Sequence, residues 1–488
     1  MKLSSLFSLL PLFSTARAIA LNVNDTASVK AAAGIAAAKL RALYPNTESW
    51  FIPGEFGLIQ TADGANDQGY YWWEAGAAMG AWIDYWAYTG DDQYNSIVSE
   101  AMLFQVGPDQ DYQPPNQTLA LGNDDQAFWG IAALAAAERG FPDPPKDQPQ
   151  WLALAQAVFN RQASRWDAAS CGGGLRWQVT TSNKGYDYKN SVSNGLFFQI
   201  GARLARYTGN STYADWAEKT YSWVKGNGLI SSSYQIFDGS HIPECVVSSK
   251  IQWTYNAGVF LAGAVSIYDY YLARSPALNT TQTDKQEYWK NETMNILMAT
   301  DEPFFNRNDG TPNIMRESAC EAPPPYTRTP TCNTDQRSFK AYLSRFFAMS
   351  YQLAPFTRDY IMPRLQASAA AAALSCTGGV DGETCGLSWI MQKYDGSPYG
   401  IAKGGVGEHM AAMEVFGALL VPDLKLPNTL ATGTSKGNVN AGTGNDAFGS
   451  SYAIQTGPTT TGDRAGAGIL TTICLGALLG LTYWLIRE

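Results

Sequence analysis

Histidine is nearly absent from this chain: His241 and His409 are the only two among 488 residues. A multi-histidine metal centre therefore lacks ligands, and a serine–histidine triad has few possible members. Charge is scarce too, at 16% of residues with a formal net charge of -9, which argues against nucleic-acid binding and for a neutral partner. A linker-like break is also missing. Pro- and Gly-rich stretches at 107–115, 141–149 and 321–330 are short and return at once to helical periodicity, so 21–423 reads as one domain.

The two ends are different. Residues 1–20 combine Lys2, an apolar stretch from Leu3 to Phe13 and small-residue cleavage patterns ending at Ala18 and Ala20, the pattern of a secretory signal peptide. From 424 to 467 the composition shifts to Gly, Thr, Ser and Asn, which predicts a flexible stalk. Residues 468–488 form an apolar tail with only Arg487 and Glu488 behind it, the arrangement of a glycosylphosphatidylinositol (GPI) signal with its attachment residue between Asn445 and Asp463. Sequons at Asn24, Asn116, Asn210, Asn279 and Asn291 suit the secretory route. Of the seven cysteines, Cys474 lies in the tail. The other six suggest three disulfides, and closeness in sequence favours Cys320 with Cys332 and Cys376 with Cys385, leaving Cys171 with Cys245, although six cysteines permit fifteen pairings.

What is present in abundance is helical periodicity. Helices are predicted at 25–43, 70–89, 91–106, 124–139, 148–166, 190–207, 211–226, 254–273, 283–299, 335–353, 357–373 and 407–420. The segments 88–94 and 207–213 nearly repeat each other. Gly90 and Gly209 there suit the left-handed residue that ends a helix, and the following Asp or Asn suits the cap of the next. The second helix of each pair is smaller and more apolar, as in 75–81 and 257–264, whereas the first is amphipathic, as in 216–223. Six hairpins with an inner and an outer ring make an all-α, (α/α)6 barrel.

In such a ring the starts of the inner helices gather at one mouth, and the residues there are of sugar-binding types. Asp124 and Asp125 stand at the start of the apolar run 127–137, and two carboxylates are what glycoside hydrolysis needs, one to protonate the leaving oxygen and one to attack carbon or activate water. Helix capping is the competing explanation, and Asp91-Asp92, opening an outer helix, is assigned to capping alone. The two roles can coexist at 124 and 125. Like-charge proximity and burial are expected to keep one acid protonated. Asn123 is a candidate for fixing the pair, Lys189, Asn190, Tyr255 and Asn256 for lining a sugar site, and Trp72, Trp73 and Trp253 for stacking on sugar faces. Arg337 and Lys340 are candidates for binding a phosphate. No metal or organic cofactor is implied, and a monomer is expected.

Residues 122–129, Gly-Asn-Asp-Asp-Gln-Ala-Phe-Trp, together with the twelve-helix pattern and the secretory ends, resemble glycoside hydrolase family 76, the endo-α-1,6-mannanases, over roughly 22–423. The fungal branch, of the defective-in-filamentous-growth and defective-cell-wall type, is the nearest in pattern. The resemblance implies a retaining mechanism on α-1,6-linked mannose, with Asp124 as nucleophile and Asp125 as general acid/base. It also implies action on mannan or the GPI core glycan with transfer to a wall β-glucan acceptor, at the outer face of the plasma membrane or in the wall. The competing expectations are a non-catalytic glycan-binding wall protein and another (α/α)6 enzyme such as a lyase.

Overall fold

The computed structural model describes residues 18–443, except 61–65, 275–279, 306–309, 322–330 and 397–403, together with Thr471. The expected signal peptide, GPI attachment region and apolar tail fall outside the described residues apart from these few. One compact unit comprises Met1–Val179 with Asn183–Gly444, and a second groups Thr180–Ser182 with Asn445–Glu488.

Twelve helices of at least 10 residues run through the described part of the large unit. They are α1 (Thr26–Ala42), α2 (Trp72–Thr89), α3 (Asn95–Phe104), α4 (Asn123–Arg139), α5 (Trp151–Ser164), α6 (Ser191–Thr208), α7 (Ser211–Gly226), α8 (Thr254–Leu272), α9 (Thr280–Ala299), α10 (Phe339–Leu353), α11 (Arg358–Ser375) and α12 (Val406–Gly417). The even-numbered helices close a ring, each packing on the next from α2 through α12 and back to α2, and the odd-numbered ones lie outside it. This is the (α/α)6 barrel. The inner helices are buried nearly all round, as α6 and α8 show, because small and apolar residues leave no wet face. Outer α7 buries only one side.

Gly90 and Gly209 adopt left-handed φ values of 78° and 79° at the ends of α2 and α6, and the Asn210 side chain caps α7 by accepting from the Thr212 amide at 3.0 Å. The equivalent Asp91 behaves differently from expectation. Its carboxylate accepts from the Gln93 amide in a turn, and α3 begins only at Asn95. Three small antiparallel sheets, absent from the helical reading, occupy connections: β1–β2 (Leu58–Gln60, Asn66–Gly69), β3–β4–β5 (Tyr188–Asn190, Gly239–His241, Val247–Ser249) and β6–β7 (Cys376–Gly378, Thr384–Cys385). The disulfides are Cys171–Cys245, Cys320–Cys332 and Cys376–Cys385, the pairing that sequence proximity favours.

The stalk expected from 424 must be corrected, since residues 424–443 are strapped to the barrel. Asn428 and Leu430 donate their amides to the carbonyls of Glu138 and Tyr207, both at 2.7 Å. Arg206 holds the carbonyls of Pro427 and Asn428 at 2.8 and 3.0 Å, and Asn160 holds those of Val439 and Ala441 at 2.9 and 2.8 Å. A segment poor in apolar side chains buries no core of its own, but its backbone pairs with polar groups that the helices present. At the other end Ile19 is buried, and its amide donates to the Cys376 carbonyl at 3.3 Å.

Among the inner helices, charged groups sit where the apolar pattern shows only interruptions. Arg139 and Arg345 bind the two oxygens of Asp84 at 3.0 and 3.1 Å, and Arg345 also binds Glu414 at 2.6 Å. Arg203 joins Glu138 at 2.7 Å. Removing one partner from such a buried pair leaves a charge uncompensated, which costs more than the pair contributes.

Candidate active site

The start of α4 is held by its neighbours before any side chain acts. The Asn123 amide donates to the Trp177 carbonyl at 2.9 Å, Val179 donates to Leu121 at 3.1 Å, and Gln162 donates to the Asn123 carbonyl at 2.6 Å. Gly122 occupies the cap position with extended backbone, φ -93° and ψ 157°. The Gly122 amide donates to Asp125 Oδ2 at 2.7 Å, so Asp125 does cap its helix. Its Oδ1 has no protein partner among the described residues. Asp124 accepts from the Asp125 amide at 3.0 Å through Oδ1 and from Asn190 Nδ2 at 3.2 Å through Oδ2.

Gly122, just before the pair, leaves room for both carboxyls. A Cβ on Gly122 would lie 2.3 Å from Asp124 Oδ1 and 3.0 Å from Asp125 Oδ2. Both oxygens thus approach one point, which holds their separation to no more than about 5.3 Å.

Burial pushes both carboxyls up, and the environments then separate them. Asp124 is raised to about 7, with the upward pull of desolvation opposed by the Asn190 and Asp125 donors. Asp125 is held well above the usual carboxylate range by desolvation and by the charge of Asp124, against which the Gly122 amide is a lesser pull. The pair thus resists carrying two charges, and the Asn190 and Asp125 donors favour placing a single charge on Asp124.

Asn190 owes its position to a second cap: it precedes α6, accepts from the Ser193 amide at 3.2 Å, and so turns its amide nitrogen toward Asp124. Trp73 is half-buried and donates its indole N–H to Asp335 at 3.0 Å. Trp253 donates to Asp238 at 3.1 Å. Tyr255 stacks face to face on Phe339 with ring centres 3.8 Å apart, and its phenol is held well above the usual value by burial and the charges of Asp238, Asp124 and Asp335. The charge of Asp124 reaches Tyr255, and that of Asp335, the partner of Trp73, reaches both Tyr255 and Asp125.

Others stand elsewhere. Asn123 is buried with its side chain turned to the Arg176 carbonyl at 2.8 Å and to Arg165 at 2.8 Å, so it fixes the loop and makes no bond to either acid. Trp72 donates to Gln105 at 2.8 Å and stacks on Trp129 within the core. Lys189 is fully buried, bound to the carbonyls of Asp167, Ser170 and Gly173 at 3.1, 2.7 and 2.6 Å. Arg337 pairs with Glu408 at 2.6 Å, and Lys340 pairs with Glu321 and the Leu387 carbonyl; both cations are buried and neutralised within the protein, not presented to a phosphate. Asn256 is wholly buried, with neither amide atom hydrogen-bonded among the described residues. These residues do stand near helix starts, but side-chain direction depends on the neighbouring helix.

Two acids escaped the sequence reading. Asp335, raised by burial to about 6, adds to the upward pressure on Asp125. Its position just before α10 is the same signal that selects 124 and 125, obscured because the helix was expected to include it; residues Asp335–Arg337 form a 3-10 turn. Asp238 accepts from Tyr188 at 2.7 Å as well as from Trp253. It lies between α7 and β4, where helical periodicity carries no information.

The sequence pattern of glycosyl hydrolase family 76 matches residues 28–431. The chain is 48% identical over 428 residues to the mannan endo-1,6-alpha-mannosidase DCW1 of Saccharomyces cerevisiae, covering 86% of each chain. It is 40% identical over 491 residues to the mannan endo-1,6-alpha-mannosidase DFG5 of the same yeast, covering 100% of this chain and 98% of that one. Among solved structures, Dfg5 from Chaetomium thermophilum in complex with glucosamine superposes with a TM-score of 0.77 at 40% identity, over 86% of this chain and 97% of that one. The α-1,6-mannanase of a Salegentibacter species shares the fold at 16% identity, with a TM-score of 0.58 over 80% of this chain and 98% of its own.

Proposed function

The chain belongs to glycosyl hydrolase family 76, and from that premise we propose that it is a retaining endo-α-1,6-mannosidase whose physiological reaction is transglycosylation. The observation that carries this reading is the acid pair: two buried carboxyls converging on Gly122, with one oxygen of each no more than about 5.3 Å apart and both ionisations pushed up. That upper bound lies below the roughly 6.5–9.5 Å that inverting enzymes leave for a water, which supports the retaining course, in which one carboxylate attacks the anomeric carbon directly.

In the first step Asp124, ionised and oriented by Asn190, bonds to the anomeric carbon of a mannose as Asp125 gives its proton to the departing glycosidic oxygen. In the second step Asp125, now a base, takes a proton from the acceptor hydroxyl, and the acceptor oxygen displaces Asp124. Water as acceptor gives hydrolysis, and a glucan hydroxyl gives transfer. The names of the yeast relatives, mannan endo-1,6-alpha-mannosidases, support the donor. The signal peptide, the three disulfides, exposed sequons at Asn24, Asn116 and Asn291, and the apolar C-terminal tail support an extracellular, GPI-anchored enzyme that meets GPI glycans and wall glucan. Cleavage after Ala18 retains the buried Ile19, which favours it over cleavage after Ala20.

The test is product analysis with the purified protein, keeping the strap through residue 443, on an α-1,6-mannose oligosaccharide or GPI-core glycan with and without β-glucan oligosaccharide. Retained anomeric configuration and a mannosyl–glucan product are expected. Inverted product sinks the mechanism, and tight binding without turnover turns the protein into a glycan-binding module.

A further inference from the structure

Beside the mouth, on the flank of α1 and α2, lies a cavity of about 740 Å³. Its wall includes Trp50, which is 56% exposed although it is among the largest apolar side chains of the protein. The indole is seated: its ring edge lies so near Gly57 that a Cβ there would come within 2.8 Å of it. The floor beneath is fixed, because the Tyr44 hydroxyl accepts from the Gly54 amide at 2.7 Å and Tyr44 packs edge-on against Phe51, Phe56 and Trp82. Thr47, Glu48 and Tyr70 supply polar groups around the same space. A rigid, exposed indole bordered by a carboxylate and hydroxyls is the chemistry that takes a pyranose, whose flat face is apolar and whose edge carries hydroxyls.

One wall of the cavity leads along the chain toward the mouth. Gly69 and Tyr70 line it, and the chain runs on through Tyr71 to Trp73, which binds Asp335 at the mouth. Tyr70 accepts from the Val406 amide at 3.3 Å, tying the wall to the start of α12. We propose that this cavity is a second saccharide subsite, holding by stacking on Trp50 a neutral oligosaccharide arm that extends beyond the acid pair. This rests on the glycan-processing reading above. The arm belongs either to the acceptor or to the donor, and the two have the same stacking chemistry.

The experiment measures binding by calorimetry on Asp125→Asn, in which turnover is expected to fall roughly 10³-fold, with laminarihexaose for the acceptor and α-1,6-mannotetraose for the donor. Two further changes are placed on that background: Trp50→Ala removes the platform, and Gly69→Phe plugs the cavity from a position where a Cβ meets no atom within 4 Å. For the saccharide that occupies the site, both should weaken binding by roughly tenfold, about the contribution of one stacked aromatic ring. A loss confined to laminarihexaose assigns the arm to the acceptor, and one confined to mannotetraose assigns it to the donor. Affinities unchanged within about twofold for both sugars, or no binding of either by the Asp125→Asn parent, overturn the proposal. Cleavage of α-1,6-mannan by the unaltered protein is measured separately. Its absence alongside Trp50-dependent binding removes the mannosidase reading and keeps the subsite, whereas cleavage alongside Trp50-independent binding removes the subsite alone.

Discussion

Two Asp-Asp pairs stand one helix apart along the chain, and the protein treats them in opposite ways. Asp91 lies near the surface, receives a hydrogen bond from Tyr85 at 2.6 Å and one from the Gln93 amide, and is held below the ordinary carboxylate range despite some desolvation. Asp124 and Asp125 are held above it, because burial removes water from both, and the charges of Asp124 and Asp335 add to the effect on Asp125. The dipeptide is the same; the desolvation is different. A capping acid is stabilised by its charge, whereas a catalytic pair is kept where one charge is tolerated and a second is resisted.

The largest effect that would break this comparison is on turnover. Asp124→Asn and Asp125→Asn should each lower kcat by roughly 10³-fold, while Asp91→Asn leaves it within about twofold. Steady-state rates on an α-1,6-mannan oligosaccharide decide this, and comparable losses at Asp91 would erase the distinction. Next in size is Gly122→Ala, which puts a methyl 2.3 Å from Asp124 Oδ1 and must displace one acid. A loss in kcat of about 100-fold with little change in the melting temperature is expected, because misplacing a reacting group by about 1 Å costs that much.

The pairs should also differ in the sign of their pH-linked stability. Asp124 ionises near 7 when folded and near 4 when unfolded, so unfolding releases a proton between those values and its burial costs stability as pH rises through that window. Asp124→Asn lifts that cost, giving a gain on the order of 2 kcal/mol near pH 7 that fades toward pH 4 in thermal melts. Asp91, with its lowered value, stabilises above the unfolded pKa and loses that contribution as pH falls. Asp91→Ala should therefore cost about 1 kcal/mol near pH 7 and less near pH 3. Gains or losses of one sign at both sites would show that burial does not separate them.

The twelve helices, their pairing and the acid pair were legible because each depends on local information. Apolar spacing of three to four residues marks a helix, Gly90 and Gly209 mark its end, and Asp124-Asp125 stands at the start of an inner one. The disulfides followed from proximity along the chain. The roles of the cations were not legible. Lys189, Arg337 and Lys340 occupy helix starts as a sugar site would require, yet each is turned toward carbonyls or a carboxylate supplied by another part of the chain. The strap was misread because weak apolar content excludes a core but does not exclude docking by backbone hydrogen bonds.

The sequence by itself determined the barrel and the pair of acids at the start of an inner helix, since periodicity and caps are properties of neighbouring residues. Only the tertiary structure decided which acid is pressed hardest toward its neutral form, that Asn190 supports Asp124, that Asp335 and Asp238 join the mouth, and that Trp73 faces it while Trp72 does not. Desolvation and charge–charge repulsion act through space: the burial of both acids comes from packed helices, and Asp335, which adds to the repulsion on Asp125, lies far along the chain.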